Sequence, residues 1–242
     1  GLNAYGEEVA VDTDHLKELF DRYAPLTHIA YELSKIEKQN WNEEWEKNYQ
    51  PVEVTEDCVI RAGFHQLEKK YAYEIIITPK MSFGTGHHAT TASMIRNMQE
   101  LDMRGKTVLD AGCGTGVLAI MAAKLGASSL LACEIEDWSV ENTNENAGLN
   151  GIDLKAFHGT TEEMNLPEES LDVILANINR NVLLSEIPLY ASLLKREGKL
   201  VLSGFYIDDI QAIEEISNQN SLRLETQKEQ DRWVSLVFGK TI

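Results

Sequence analysis

The sequence predicts an α/β fold: a mostly parallel sheet covered by helices on both faces and closed by an antiparallel edge hairpin. Three observations carry this. From residue 107 onward, short apolar runs alternate with helical segments, and such alternation requires a parallel sheet wrapped on both sides. The first run, residues 107–109, feeds Asp110-Ala111-Gly112-Cys113-Gly114-Thr115-Gly116, a tight turn that opens into an apolar helix reaching about Lys124. The chain closes with two extended runs, residues 222–229 and 233–238, which read as a hairpin on the sheet edge.

Taken in order, residues 14–23 have helical spacing, with Leu16, Leu19, Phe20 and Tyr23 on one face and Thr13 or Asp14 as N-cap. Residues 27–33 alternate as a strand does. A helix and a strand or two are too little for an independent core, and the chain opens on Gly1 rather than Met. Residues 1–40 therefore read as part of a small α+β domain whose beginning is missing. Residues 41–50 place Trp41, Trp45 and Tyr49 four apart, on one face of a connector helix, where they either pack between domains or stack on a ligand. Pro51-Val52-Glu53-Val54 closes the connector, and residues 51–242 form the main domain. Its first elements are a strand pair, residues 58–60 and 73–77, around a polar turn at residues 66–70.

Residues 78–91 (Thr78-Pro79-Lys80-Met81-Ser82-Phe83-Gly84-Thr85-Gly86-His87-His88-Ala89-Thr90-Thr91) are too rich in small residues for a packed strand. They read as a loop entering a helix over residues 89–101. The Phe83-Gly84-Thr85-Gly86 segment suggests backbone folded against a ligand, and Thr91 in the first helical turn can set its hydroxyl near a carboxylate. The histidine pair has no carboxylate or cysteine at ligand spacing, so no metal is expected.

Beyond the glycine turn, the second strand covers residues 130–135 with Glu134 at its end, and a polar helix runs from Asp137 to about Gly151. A third strand covers residues 155–158, followed by Thr160 and Thr161. The fourth covers residues 171–176 with Asn177 at its carboxyl end. An amphipathic helix over residues 182–194, stopped by Gly198, leads to a fifth strand over 199–203 and a helix over 208–216. Ligands of such sheets lie beyond the carboxyl ends of the strands, where Asp110, Gly112, Glu134, Thr160 and Asn177 all fall.

Glycine at alternate positions removes the Cβ atoms that keep a ligand off the main chain, and the helix start offers unpaired N–H groups. A nucleotide-like ligand follows. Gly114-x-Gly116-x-x-Ala119 fits a dinucleotide fingerprint, so NAD is one candidate. Asp110 and the additional Gly112 spell D-x-G-x-G-x-G, which resembles motif I of the class I S-adenosylmethionine-dependent methyltransferases. Glu134 can accept both ribose hydroxyls of an adenosine in either case.

A net charge of −17 argues against a protein that holds nucleic acid by its phosphates and suits a basic protein partner. Cys58, Cys113 and Cys133 are odd in number and lack metal spacing, so they read as reduced thiols of a cytoplasmic protein. No apolar stretch is long enough to cross a bilayer and no signal peptide opens the chain, so no membrane association is expected.

Phe83-Gly84-Thr85-Gly86-His87-His88-Ala89-Thr90-Thr91, the Asp110 to Gly116 turn, Glu134, Asn146-Ala147-x-x-Asn150-Gly151 and Ala176-Asn177-Ile178 together resemble the ribosomal protein L-eleven methyltransferases (PrmA type). The resemblance covers essentially the whole chain. It implies a Rossmann-like, seven-stranded class I methyltransferase sheet with a small, shortened N-terminal α+β domain. It also implies S-adenosyl-L-methionine as methyl donor, and methylation of lysine ε-amines and the N-terminal amine of one large-subunit ribosomal protein. Carried over by position, the cofactor contacts are Thr91, Gly112, Glu134 and Asn177. The acid after the second strand is usually aspartate in that family and here is Glu134, one methylene longer.

Gly114, Asp110 and Phe83 complete the expected cofactor site. Asp110 either braces the turn or approaches the cofactor's amino group, and Phe83 either covers the cofactor or belongs to the core. Methyl transfer from a sulfonium needs a neutral amine, although lysine has an unperturbed pKa of about 10.4; desolvation beside the cofactor favours the neutral form. Asn177 is the expected catalytic residue: its side-chain carbonyl accepts an amine N–H and aims the lone pair, unless it merely caps the helix starting near Arg180. Rival readings are a small-molecule methyltransferase and a non-enzymatic ribosome-assembly protein of the same fold.

Overall fold

The computed structural model describes residues 13–25, 49–80, 82–86 and 88–241. The expected strand at residues 27–33, the connector helix with Trp41 and Trp45, and His87 lie outside them. The chain divides into two units, Gly1–Tyr49 and Gln50–Ile242. In the first, α1 (Thr13–Tyr23) forms as its spacing predicts, with Leu16, Leu19 and Phe20 half-buried. Tyr23 does not share that shelter and is exposed.

The second unit opens with a three-stranded sheet: β1 (Val52–Thr55) runs antiparallel to β2 (Cys58–Ala62), which runs parallel to β3 (Tyr73–Ile77). One expectation is corrected here, and the expected strand pair gains a direction. Val52 to Thr55 is a strand, not the end of a connector, because Val52 and Glu53 pair with Ile60 and Val59. The β2–β3 pair is parallel, since the intervening segment carries the chain back so that Cys58 meets Tyr73.

The main sheet follows the predicted alternation: α2 (Ala89–Glu100), β4 (Thr107–Ala111), α3 (Val117–Lys124), β5 (Ser129–Glu134), α4 (Asp137–Leu149), β6 (Phe157–His158), β7 (Leu171–Asn177), α5 (Arg180–Leu193), β8 (Leu194–Tyr206), α6 (Ile210–Gln219), β9 (Leu222–Gln230) and β10 (Trp233–Lys240). The strand order is β6-β5-β4-β7-β8-β10-β9, with β10 antiparallel to both neighbours and the remaining pairs parallel. Seven strands with a closing edge hairpin are what the sequence predicts. Strand order reverses at β4, from which β5 lies on one side and β7 on the other. The carboxyl ends of these three strands therefore frame a crevice.

Two boundaries differ from expectation. The third strand shrinks to Phe157–His158. The fifth strand, expected over 199–203, begins at Leu194 directly after the helix ends at Leu193, because the fully buried Leu194 already pairs with Leu171 in the sheet.

Side chains alternate across the sheet with period two. Val108, Val173, Leu175 and Val201 pack with α2, α3 and the small sheet, through residues such as Met94, Ile95, Ile120 and Ile60. Leu109, Ile174, Ala176, Leu200 and Leu202 point the other way, onto Leu183, Ile187 and Tyr190 of α5 and Ile213 of α6. Cys58, Cys113 and Cys133 are free and buried. Among the described residues no helix is long and apolar enough to cross a membrane.

Candidate active site

A cavity of about 550 Å³ opens at the carboxyl ends of β4, β5 and β7. Its wall includes Phe83, Gly112, Gly114, Glu134 and Asn177 from the sequence-predicted set, while Thr91 and Asp110 stand behind that wall.

The glycine turn forms the floor. Gly112 and Gly114 have φ of +70° and +56°, the left-handed region where a side chain is strained. A Cβ on Gly114 would sit 2.4 Å from the Phe83 carbonyl oxygen, and one on Gly112 would sit 2.3 Å from Ile178 Cγ2. The N–H groups of the turn itself are paired within the protein. Gly112 and Cys113 N–H groups both donate to the Cys133 carbonyl (2.9 and 3.1 Å), Thr115 donates to Phe83 O (2.9 Å), and Gly116 donates to Cys113 O (2.7 Å). Gly114 N–H donates to Glu134 Oε2 at 3.1 Å. The turn supplies room rather than an anion-binding nest.

Glu134 ends β5. Its second oxygen accepts the N–H of Ile135 at 2.9 Å, so the carboxylate is held at the cavity wall with lone pairs to spare. Asp110 is fully enclosed, and Oδ2 accepts the Ala119 N–H at 3.0 Å. That bond ties the end of β4 to the first turn of α3. Burial pushes its carboxyl up to about 7, opposed by the Ala119 N–H and reinforced by the Glu134 charge. Its Oδ1 has no partner among the described residues.

At the end of β7, Asn177 Nδ2 donates to Thr91 Oγ1 at 3.5 Å. Its Oδ1 is buried without a hydrogen-bond partner among the described residues. Within the protein, the Thr91 hydroxyl meets the Asn177 amide. Asn179, not Asn177, caps α5 by accepting the Val182 N–H at 3.2 Å, which leaves the Asn177 carbonyl uncommitted.

Phe83 is 52% exposed and belongs to the cavity, not the core. It begins an aromatic row: Phe83 to His88 at 5.3 Å between centroids, His88 to Trp233 at 4.6 Å, and Trp233 to Tyr206 at 4.0 Å. His88 also caps α2, its Nδ1 accepting the Thr90 N–H. Sequence reasoning missed Thr90, Trp233 and Glu186 as wall residues. Trp233 carried a usable signal, because an antiparallel strand beginning beside the end of β8 must start at the ligand side of the sheet.

The charge of the wall decides what it can take. Glu134, Glu136 and Glu186 line it, and among the described residues no lysine or arginine does. With the turn's N–H groups already paired, nothing there matches a pyrophosphate. A wall of carboxylates and aromatic faces suits a cation, and the two glycines leave the space that a nucleoside needs. The fold and this cavity define a class I S-adenosylmethionine-dependent methyltransferase.

The model of one family, ribosomal protein L11 methyltransferase (PrmA), matches residues 2–241. The chain belongs to that family, and S-adenosylmethionine is its methyl donor. It is 42% identical to the ribosomal protein L11 methyltransferase of Phocaeicola vulgatus, over 98% of this chain and 85% of that relative. Identity to the one of Porphyromonas gingivalis is also 42%, over 98% of this chain and 82% of that relative. Among solved structures, the ribosomal protein L11 methylase of Lactobacillus delbrueckii subsp. bulgaricus superposes with a TM-score of 0.72 at 31% identity, covering 80% of this chain and all of the other. A Pyrococcus furiosus methyltransferase (TM-score 0.55, 19% identity, 62% of this chain and 82% of the other) shares the fold.

Proposed function

We propose that this enzyme methylates ribosomal protein L11 at lysine ε-amines and at the N-terminal amine. One observation carries the reading: among the described residues the wall holds three carboxylates, no lysine or arginine, and a buried amide oxygen that lacks a donor. A protonated or neutral amine satisfies each of these, and a polyanion satisfies none. The net charge of −17 extends the preference to a basic protein partner of the large subunit, without direct nucleic-acid binding. Residues 1–40 serve to hold that partner and residues 41–50 to connect, and the setting is the cytoplasm, where ribosomal proteins are made.

S-adenosylmethionine supplies an electrophilic methyl group for in-line displacement by a nitrogen lone pair. Gly112 and Gly114 give the donor's backbone-hugging space, and Glu134 accepts its ribose hydroxyls. Phe83 covers the opening. Asp110 and Thr91 act from behind, one bracing α3 against β4 and the other holding the Asn177 amide. Asn177 Oδ1 accepts an N–H of the incoming amine and turns the lone pair toward the methyl-bearing side. The carboxylates draw the amine in; it reacts in its neutral form, its proton passing to bulk water, and Asn177 aims the lone pair without acting as a general base.

Intact-mass spectrometry of L11 incubated with enzyme and S-adenosylmethionine tests this. Stepwise gain of methyl masses, mapped to amines, is expected. An unchanged L11 mass, with a fully folded enzyme that binds the donor, would overturn the substrate assignment.

A further inference from the structure

Thr115 sits in the glycine turn, is fully buried, and does not line the cavity. All its polar atoms are nevertheless spent on one neighbour and one helix. Its N–H donates to Phe83 O at 2.9 Å and its hydroxyl donates to Gly84 O at 2.8 Å. Its carbonyl accepts from Asn146 Nδ2 at 2.8 Å, and the Oδ1 of the same amide accepts the Thr78 N–H at 2.7 Å. The next two contacts continue the pattern: Asn142 Nδ2 donates to Thr78 O at 3.1 Å, and Ser139 donates to Ser82 Oγ at 3.1 Å. Gly84 itself has no room for a side chain, since a Cβ would stand 2.7 Å from Thr115 Oγ1.

The described residues so held, 78–80 and 82–86, include Phe83 and lie just ahead of His88 at the cavity wall. One end of this segment hangs on α4 and its middle hangs on the turn. Two consecutive carbonyls, Phe83 and Gly84, are gripped by a single residue, so the segment cannot shift without Thr115 and Thr115 cannot shift without the turn.

We propose that Thr115 is a positioning residue: it couples donor occupancy of the glycine turn to the order of the Phe83–His88 wall, so that loading the methyl donor sets the amine side of the cavity. The claim about the amine side rests on the function proposed above; the coupling itself does not.

Hydrogen–deuterium exchange on the full chain, with and without S-adenosylhomocysteine, reads the coupling directly. In the wild type, product binding should slow exchange in peptides spanning residues 78–90 as well as in those spanning the turn. Thr115→Val keeps the N–H bond to Phe83 and deletes only the hydroxyl bond. It should bind S-adenosylhomocysteine within about threefold of wild type yet lose most of the slowing at residues 78–90, and Thr115→Ser should restore it. In the same variants, kcat/KM for L11 should fall about tenfold for valine, in keeping with one buried hydrogen bond lost, with the KM for S-adenosylmethionine little changed. No slowing at residues 78–90 in wild type overturns the proposal without any variant. So does a valine variant that keeps the slowing, or one whose product affinity falls as far as its kcat/KM. If wild type leaves L11 unmethylated, the exchange measurements still decide the coupling, and the two failures stay separate.

Discussion

Two helices flank the glycine turn, and they are held by opposite means. α3 buries Val117, Leu118, Ala119, Ile120 and Met121, an almost featureless hydrocarbon surface. α4 buries Ser139, Asn142, Thr143 and Asn146, and nearly every one of these side chains holds a named backbone or hydroxyl atom. Apolar contact is strong but non-directional, so α3 fixes where the turn lies without fixing its shape. Amide and hydroxyl bonds are directional and costly to leave unmade, so α4 fixes the shape of the turn and of the loop above it. Asn150 shows the principle at its plainest. Its amide pairs with both the N–H and the C=O of Ile76, taking the place of a neighbouring strand at the open edge of β3.

Substitutions that break one helix's mode of attachment should separate stability from binding. The largest loss is expected from Ile120→Ala, about 4 kcal/mol of unfolding free energy for a fully buried side chain. Calorimetric affinity for S-adenosylhomocysteine should stay within about threefold of wild type.

Next comes Gly114→Ala, where left-handed strain and the Phe83 carbonyl act together. About 3 kcal/mol, or roughly a hundredfold, should be lost from product affinity. Gly112→Val, a larger side chain at another left-handed position, should abolish binding while preserving the fold, the Ile178 methyl it meets being easier to displace than a carbonyl.

Asn177→Ala should cut turnover about a hundredfold while moving product affinity by less than about threefold. Full turnover would remove Asn177 from the mechanism. Asn146→Leu keeps bulk but orphans Thr78 N–H and Thr115 O. It should cost about 2 kcal/mol in urea unfolding and, unlike Ile120→Ala, weaken product binding as well.

The gentlest test uses pH. Because Asp110 keeps its proton to about 7 when folded, the native state binds more protons than the unfolded chain between about pH 4 and about pH 7. Its contribution is therefore intact below that window and lost as pH rises through it, at no more than about 1.4 kcal/mol per pH unit. In Asp110→Asn, urea midpoints measured across the window should flatten by that amount.

Much of this was legible in the residues. Period-two runs from Thr107 to Ser203 and the spaced glycines gave the sheet, the turn and the strand ends bearing Glu134 and Asn177, because those features depend on local pattern. What stayed hidden depended on partners distant in the chain. Val52 to Thr55 is too short to read as a strand until Ile60 and Val59 lie beside it. The partners of the turn's N–H groups cannot be read from sequence, and only the fold brings Cys133 O, Phe83 O and Glu134 to them. The same holds for His88 and Trp233, separated by most of the domain yet edge to face at 4.6 Å.

The most direct test of the whole account is a crystal structure of the enzyme with S-adenosylhomocysteine. The ribose hydroxyls should rest on the Glu134 carboxylate, the nucleoside should cross Gly112 and Gly114, and the sulfur should face the side of the cavity where Asn177 Oδ1 waits. A product molecule bound elsewhere, or a ribose that leaves Glu134 paired only with Gly114 and Ile135, would contradict it.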